Sequence, residues 1–174
     1  KGDLGGAAGW VLGMIFAGFL TPAGLQGLAI KQDEGKLGKS PVIVGPTLDG
    51  GQFDLAEKKG KVVLIDFWAT WCVPCQKSLT NMMDVEEDWK KNYNCEIVAV
   101  SIDDAQNTAK VKTTVTGKGW DYLVLLDPNQ QTKQSLNFQN IAFSIVVDGK
   151  GNIIFTHQGY VDGDENLLEE EIKK

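Results

Sequence analysis

The residues with the clearest chemical potential are two cysteines separated by two positions, Cys72-Val73-Pro74-Cys75. Such a pair either cycles between dithiol and disulfide or gives two thiolates to a metal. A metal would need two further ligands. The remaining candidates, Cys95 and the single histidine His157, stand at no finger-like spacing from the pair. Cys95 opens an apolar run, where a buried and inert thiol is the ordinary case, and His157 takes no catalytic role. The sequence therefore favours redox chemistry.

The elements around the pair must place it. Val62-Val63-Leu64-Ile65-Asp66-Phe67-Trp68 is an apolar run of buried-strand length, and Leu79, Met82, Met83 and Trp89 follow at helical spacing. The pair thus lies where a strand hands over to a helix. A cysteine at a helix N-terminus meets unpaired backbone N–H groups and the positive end of the macrodipole, which stabilise a thiolate. Cys72 is accordingly the expected nucleophile. Cys75, one turn inside the helix, is the expected resolving thiol. Pro74 fits early in a helix, where its missing N–H removes nothing. Asp66 interrupts an otherwise apolar strand. Unless the position is open to water at a strand end, burial should raise the pKa of its carboxyl.

Further along, Glu96–Ile102 reads as a second strand, followed by a polar helical stretch through Lys118. Tyr122–Leu126 reads as a third strand, with a short helix from Pro128 toward Leu136. Ser144–Val147 and Asn152–Thr156 flank Asp148-Gly149-Lys150-Gly151 as a hairpin, and a last helix runs from about Asp164 to Lys173. Strands alternating with helices and closed by a hairpin imply an α/β fold, a mixed central sheet with helices on both faces.

The chain has 174 residues, 43% of them hydrophobic, enough for one ordinary core. A formal charge of −6, with no arginine and no basic stripe, argues against nucleic acid as a partner. Residues 4–30 carry no charge. They resemble a membrane span or a secretory apolar region. Gly5, Gly9, Gly13 and Ala17 alternatively form a small-residue stripe suited to close packing or self-association. The glycine-broken polar run from Lys31 to Pro41 reads as a linker. The expected organisation is an apolar extension and linker over 1–37 and one domain over 38–174.

Phe67-Trp68-Ala69-Thr70-Trp71-Cys72-Val73-Pro74-Cys75 after an apolar strand resembles the thioredoxin superfamily, and most its cell-envelope branch of the TlpA and ResA type. Gly60–Trp68, Val98–Asp103, the inserted Tyr122–Pro128 and Val147–Ile153 resemble that branch in order and spacing. The resemblance implies a thioredoxin fold with the branch's insertion and N-terminal extension. It implies thiol-disulfide exchange with protein substrates, with no organic cofactor or metal and with a partner that recycles the dithiol. It further implies a location in the periplasm or cell envelope.

Residue by residue, the resemblance makes Asp66 the buried base that takes the proton of Cys75. It places a lysine of the neighbouring strand at the position of Val100. Trp71, Val73 and Pro74 border the disulfide, with a surface role favoured for Trp71 over a place in the core. The family's cis-proline corresponds to Ala142, flanked by Ile141 and Phe143, whose backbone groups would hold an extended substrate. A cis bond before a non-proline residue is disfavoured by about 2.5–4 kcal/mol. The Ile141–Ala142 peptide is therefore expected to be trans, with the facing loop displaced or more mobile. Two rival readings remain. A thiol peroxidase would want a proline and threonine spaced ahead of its cysteine, and apart from Thr70 that pattern is absent before Cys72. A redox-silent binding module would use the 142 loop and the apolar N-terminus.

Overall fold

A computed structural model describes residues 37–174. The apolar stretch 4–30, the extension over 1–37 up to Lys36, and most of the linker lie outside the described residues. Eight strands and four helices follow in chain order: β1 Gly38–Lys39, β2 Val44–Pro46, β3 Gln52–Asp54, β4 Val62–Trp68, α1 Val73–Tyr93, β5 Cys95–Ser101, α2 Thr108–Lys118, β6 Leu123–Leu126, α3 Gln131–Leu136, β7 Phe143–Val147, β8 Asn152–Gln158 and α4 Asp164–Ile172. Among the described residues no helix is long and apolar enough to cross a membrane.

The main sheet has the order β1-β8-β7-β4-β5-β6. β4, β5 and β6 run parallel, while β7 is antiparallel to β4 and β8 antiparallel to β7. β4 is therefore central and covered on both faces, which explains its unbroken apolar run. Successive side chains alternate between the faces. Trp68 meets Trp120 edge-on at 5.0 Å, and Trp120 Nε1 donates to Thr80 Oγ1 of α1, so this face carries α1. Tyr93 of α1 donates to Glu169 of α4, joining the two helices. Phe67 points the other way, onto Phe138 just beyond α3. The sheet is thus mixed and covered on both faces, as expected.

Several boundaries differ from the sequence reading. α3 begins at Gln131 rather than Pro128, because the Asp127 carboxylate accepts from the Gln131 and Thr132 N–H groups and fixes the first turn there. The β2–β3 hairpin and a 3-10 turn at Leu55–Lys58 precede β4 and bring Ile43, Phe53 and Leu55 into the core. At the base of β4, Gly60 N–H donates to the Gly149 carbonyl. A Cβ on Gly149 would lie 3.2 Å from Gly60 backbone, so a side chain there would press on this close approach.

Candidate active site

The active-site chain segment leaves the C-terminal end of β4. Cys72 is the N-cap of α1 in extended conformation, and its Sγ accepts from Cys75 N–H at 3.3 Å. Val73 and Pro74 form the first helical positions. Cys72 and Cys75 are joined as a disulfide with Cα atoms 5.4 Å apart. Cys72 retains slight exposure at 6%, whereas Cys75 has none. Trp71 and Val73 stand out into solvent on either side of Cys72, Trp71 with 66% of its surface exposed.

Asp66 is fully buried, two positions before Trp68 and on the same, α1-facing side of β4. Burial pushes its carboxyl up to about 7, opposed by a hydrogen bond from Ser144. Ser144 stands directly opposite Asp66 on β7, and its Oγ donates to Oδ2 at 2.9 Å. Oδ1 has no partner. On the other side, the register sets Ala99 across from Asp66, while Val100 pairs with Phe67. The residue directly across from the acid on β5 is thus Ala99, with Val100 one position further on, and neither carries a charge.

The Ile141–Ala142 peptide is cis, which overturns the expectation of a trans bond and a displaced loop. That expectation considered only the isolated amide. In the fold, Ala142 is buried and its carbonyl accepts from Gly159 N–H at 2.8 Å and Gln158 Nε2 at 2.7 Å, so the loop is tied to the end of β8. Phe143 lies inside the sheet, opposite Phe67 on β4 and Gln158 on β8. Ile141, ahead of β7, is half-buried at the rim.

The sequence reading did not single out the turn after β8. Asn81 Nδ2 donates to Tyr160 Oη and Lys77 pairs with Asp162 at 2.7 Å, so this turn bridges α1 to the Ala142 loop and leaves Val161 exposed. Trp71 also walls a hollow of about 650 Å³ with Asn107, Lys110 and Thr113 of the α2 region.

Cys95 is buried at the start of β5, where desolvation pushes its thiol up to about 12. His157 contacts Asp164 at 2.9 Å, away from the cysteines. Among the described residues no three His, Cys, Asp or Glu side chains gather as metal ligands.

Comparison with known proteins agrees with this geometry. The chain is 29% identical over 150 residues to the thiol-disulfide oxidoreductase ResA of Bacillus thuringiensis subsp. konkukian, covering 86% of this chain and 84% of that protein. The crystal structure of a putative thiol:disulfide interchange protein DsbE from Chlorobium tepidum superimposes with a TM-score of 0.72 at 28% identity, over 79% of this chain and 94% of that one. A thioredoxin-like protein from Porphyromonas gingivalis, solved in solution, gives 0.66 at 36% identity, over 76% and 88%. The Redoxin family profile matches residues 36–172. The chain belongs to the Redoxin family, as a thioredoxin-fold thiol-disulfide oxidoreductase of the TlpA/ResA type.

Proposed function

We propose that Cys72 is the attacking thiol and Cys75 the resolving thiol of a protein disulfide reductase, with Asp66 as the proton acceptor. The observation that carries this reading is the disulfide at the N-terminus of α1, with Cys72 slightly exposed and Cys75 fully buried beneath the helix face that Asp66 meets. In the reduced protein the Cys72 thiolate attacks a substrate disulfide. A mixed disulfide forms and one substrate thiolate leaves. Asp66, as a carboxylate, takes the Cys75 proton, and the Cys75 thiolate attacks Cys72 Sγ. The second substrate thiol is released and the protein's own disulfide closes. The substrate gains two electrons, which a dithiol partner restores. Ile141 offers backbone for an extended substrate, and Trp71, Val73 and Pro74 border it; Ala142 and Phe143 hold that rim in place. The cysteine pair is itself the redox carrier.

The reducing direction rests on the proline beside Cys75. A periplasmic or cell-envelope location, with residues 4–30 as a membrane tether or self-association segment, rests on their uncharged, apolar composition. Trapping tests the thiol roles. A Cys75→Ser variant in cell extract should accumulate substrate disulfide-linked to Cys72, and Cys72→Ser should accumulate none. Equal trapping by both variants overturns the assignment.

A further inference from the structure

The segment between β4 and Cys72 is held by a buried carboxylate outside the disulfide and its base. Asp103, just beyond β5, is only 4% exposed. Its Oδ2 accepts from Thr70 N–H at 2.9 Å and from Ser101 Oγ at 2.9 Å, while Oδ1 accepts from Thr70 Oγ1 at 2.6 Å. Three donors thus converge on one buried carboxylate. Thr70 is gripped from the other side as well, since its carbonyl accepts from Gln76 Nε2 of α1 at 2.8 Å. Two residues later, Cys72 N–H donates to the Ala69 carbonyl and Cys72 Sγ receives the Cys75 N–H. Both polar groups of the Thr70 backbone and its hydroxyl are therefore fixed before the chain reaches the nucleophile.

We infer that Asp103 is a positioning residue for Cys72, clamping Thr70 so that the Cys72 sulfur stays on the N–H groups that open α1. This inference rests on Cys72 being the attacking thiol. Asp103 touches neither sulfur. Its negative charge, taken alone, would disfavour a nearby thiolate. The clamp acts oppositely: it keeps the thiolate where helix N–H groups stabilise it. The two effects differ in sign, so removal of the side chain tells them apart. Among the described residues, the ionisable groups on the elements that flank the nucleophile include Asp103 after β5, Asp66 on β4, Cys75 on α1, Lys110 across the Trp71 hollow, and the mutually paired Lys77 and Asp162.

The test measures the rate of iodoacetamide alkylation of Cys72 against pH in full-length protein carrying Cys75→Ser. The parent profile should have its midpoint below that of an ordinary thiol; a midpoint at the ordinary value overturns the nucleophile assignment itself. With a low parent midpoint, Thr70→Val, which keeps the Asp103 charge but loses the hydroxyl, should move the profile to higher pH. The rate at pH 7 should fall about threefold, following the smaller thiolate fraction. Asp103→Ala should move it the same way, and Thr70→Ser should restore the parent profile. A Thr70→Val profile that superimposes on the parent, or an Asp103→Ala profile displaced to lower pH, overturns the clamp while leaving Cys72 as nucleophile.

Discussion

Ser144 Oγ donates to Asp66 Oδ2 at 2.9 Å from the position directly opposite it on the antiparallel neighbour strand. Among the described residues it is the only hydrogen bond at this fully buried carboxylate, whose other oxygen has no partner there. A donor of this kind favours the charged form, and a bond to a charged group is worth about 1.5–3 kcal/mol. Ser144→Ala should therefore raise the Asp66 pKa by about one unit or more. If Asp66 accepts the Cys75 proton, release of a mixed disulfide from Cys72 should acquire a midpoint more alkaline by that amount. An unchanged midpoint would remove Asp66 from the resolving step.

The same carboxyl should make stability depend on pH. Burial raises it from 3.8 to about 7, so the folded state binds a proton that the unfolded chain releases between those values. Below pH 3.8 the group is neutral in both states and contributes no difference. From there stability falls as pH rises, and above about 7 the penalty levels off at something on the order of 4 kcal/mol. Asp66→Asn should thus match the wild type in denaturant unfolding at pH 3.5, yet exceed it by a few kcal/mol at pH 8. A stability difference independent of pH would contradict the buried, uncompensated carboxyl.

The cysteines, β4 and α1 were legible because each leaves a local mark: the C-x-x-C spacing, an unbroken apolar strand, an apolar helical stripe. Asp66 was legible as a charge inside that strand. Ser144, Asp103 and Thr70 were not, since each is an ordinary polar residue until the register of β7 and the end of β5 place it against its partner. The neighbour of Asp66 on β5, Ala99, was hidden for the same reason. Parallel pairing across an intervening helix leaves no trace in sequence that fixes register to one residue, and a slip of one exchanges the two faces of the sheet. The strands of the β2–β3 arm are too short for a period to show, and Val44-Gly45-Pro46 lacks strand composition. At Ala142 the local amide preference was readable, but not the two donors from the end of β8 that hold its carbonyl.

Cys95 should behave as packing and not as a thiol. It is buried at the foot of β5, and desolvation raises it to about 12, leaving almost no thiolate at neutral pH. In reduced native protein, alkylation at pH 7.5 followed by mass analysis should modify Cys72 and leave Cys95 untouched until denaturant is added. Cys95→Ala should lower stability by about 1 kcal/mol through lost packing and leave the exchange rate unchanged. Loss of exchange in that variant would mean that the third thiol takes part.

Two tryptophans three residues apart should separate stability from recognition. Trp68 is fully buried and packed edge-on against Trp120, so Trp68→Ala should destabilise the domain by about 3–5 kcal/mol. Trp71 is 66% exposed beside Cys72 and can lose its ring with little effect on folding, within about 0.5 kcal/mol. Its exposed face has another use if protein substrates dock around Cys72, because a rigid aromatic surface next to the reacting sulfur is a typical anchor. Removing such an anchor costs about 1–2 kcal/mol of binding. Trp71→Ala should therefore raise KM for a disulfide-bonded protein by about tenfold while leaving reduction of a small soluble disulfide nearly unchanged. An equal loss toward both substrates would place the effect of Trp71 on the reactivity of Cys72 and not on docking.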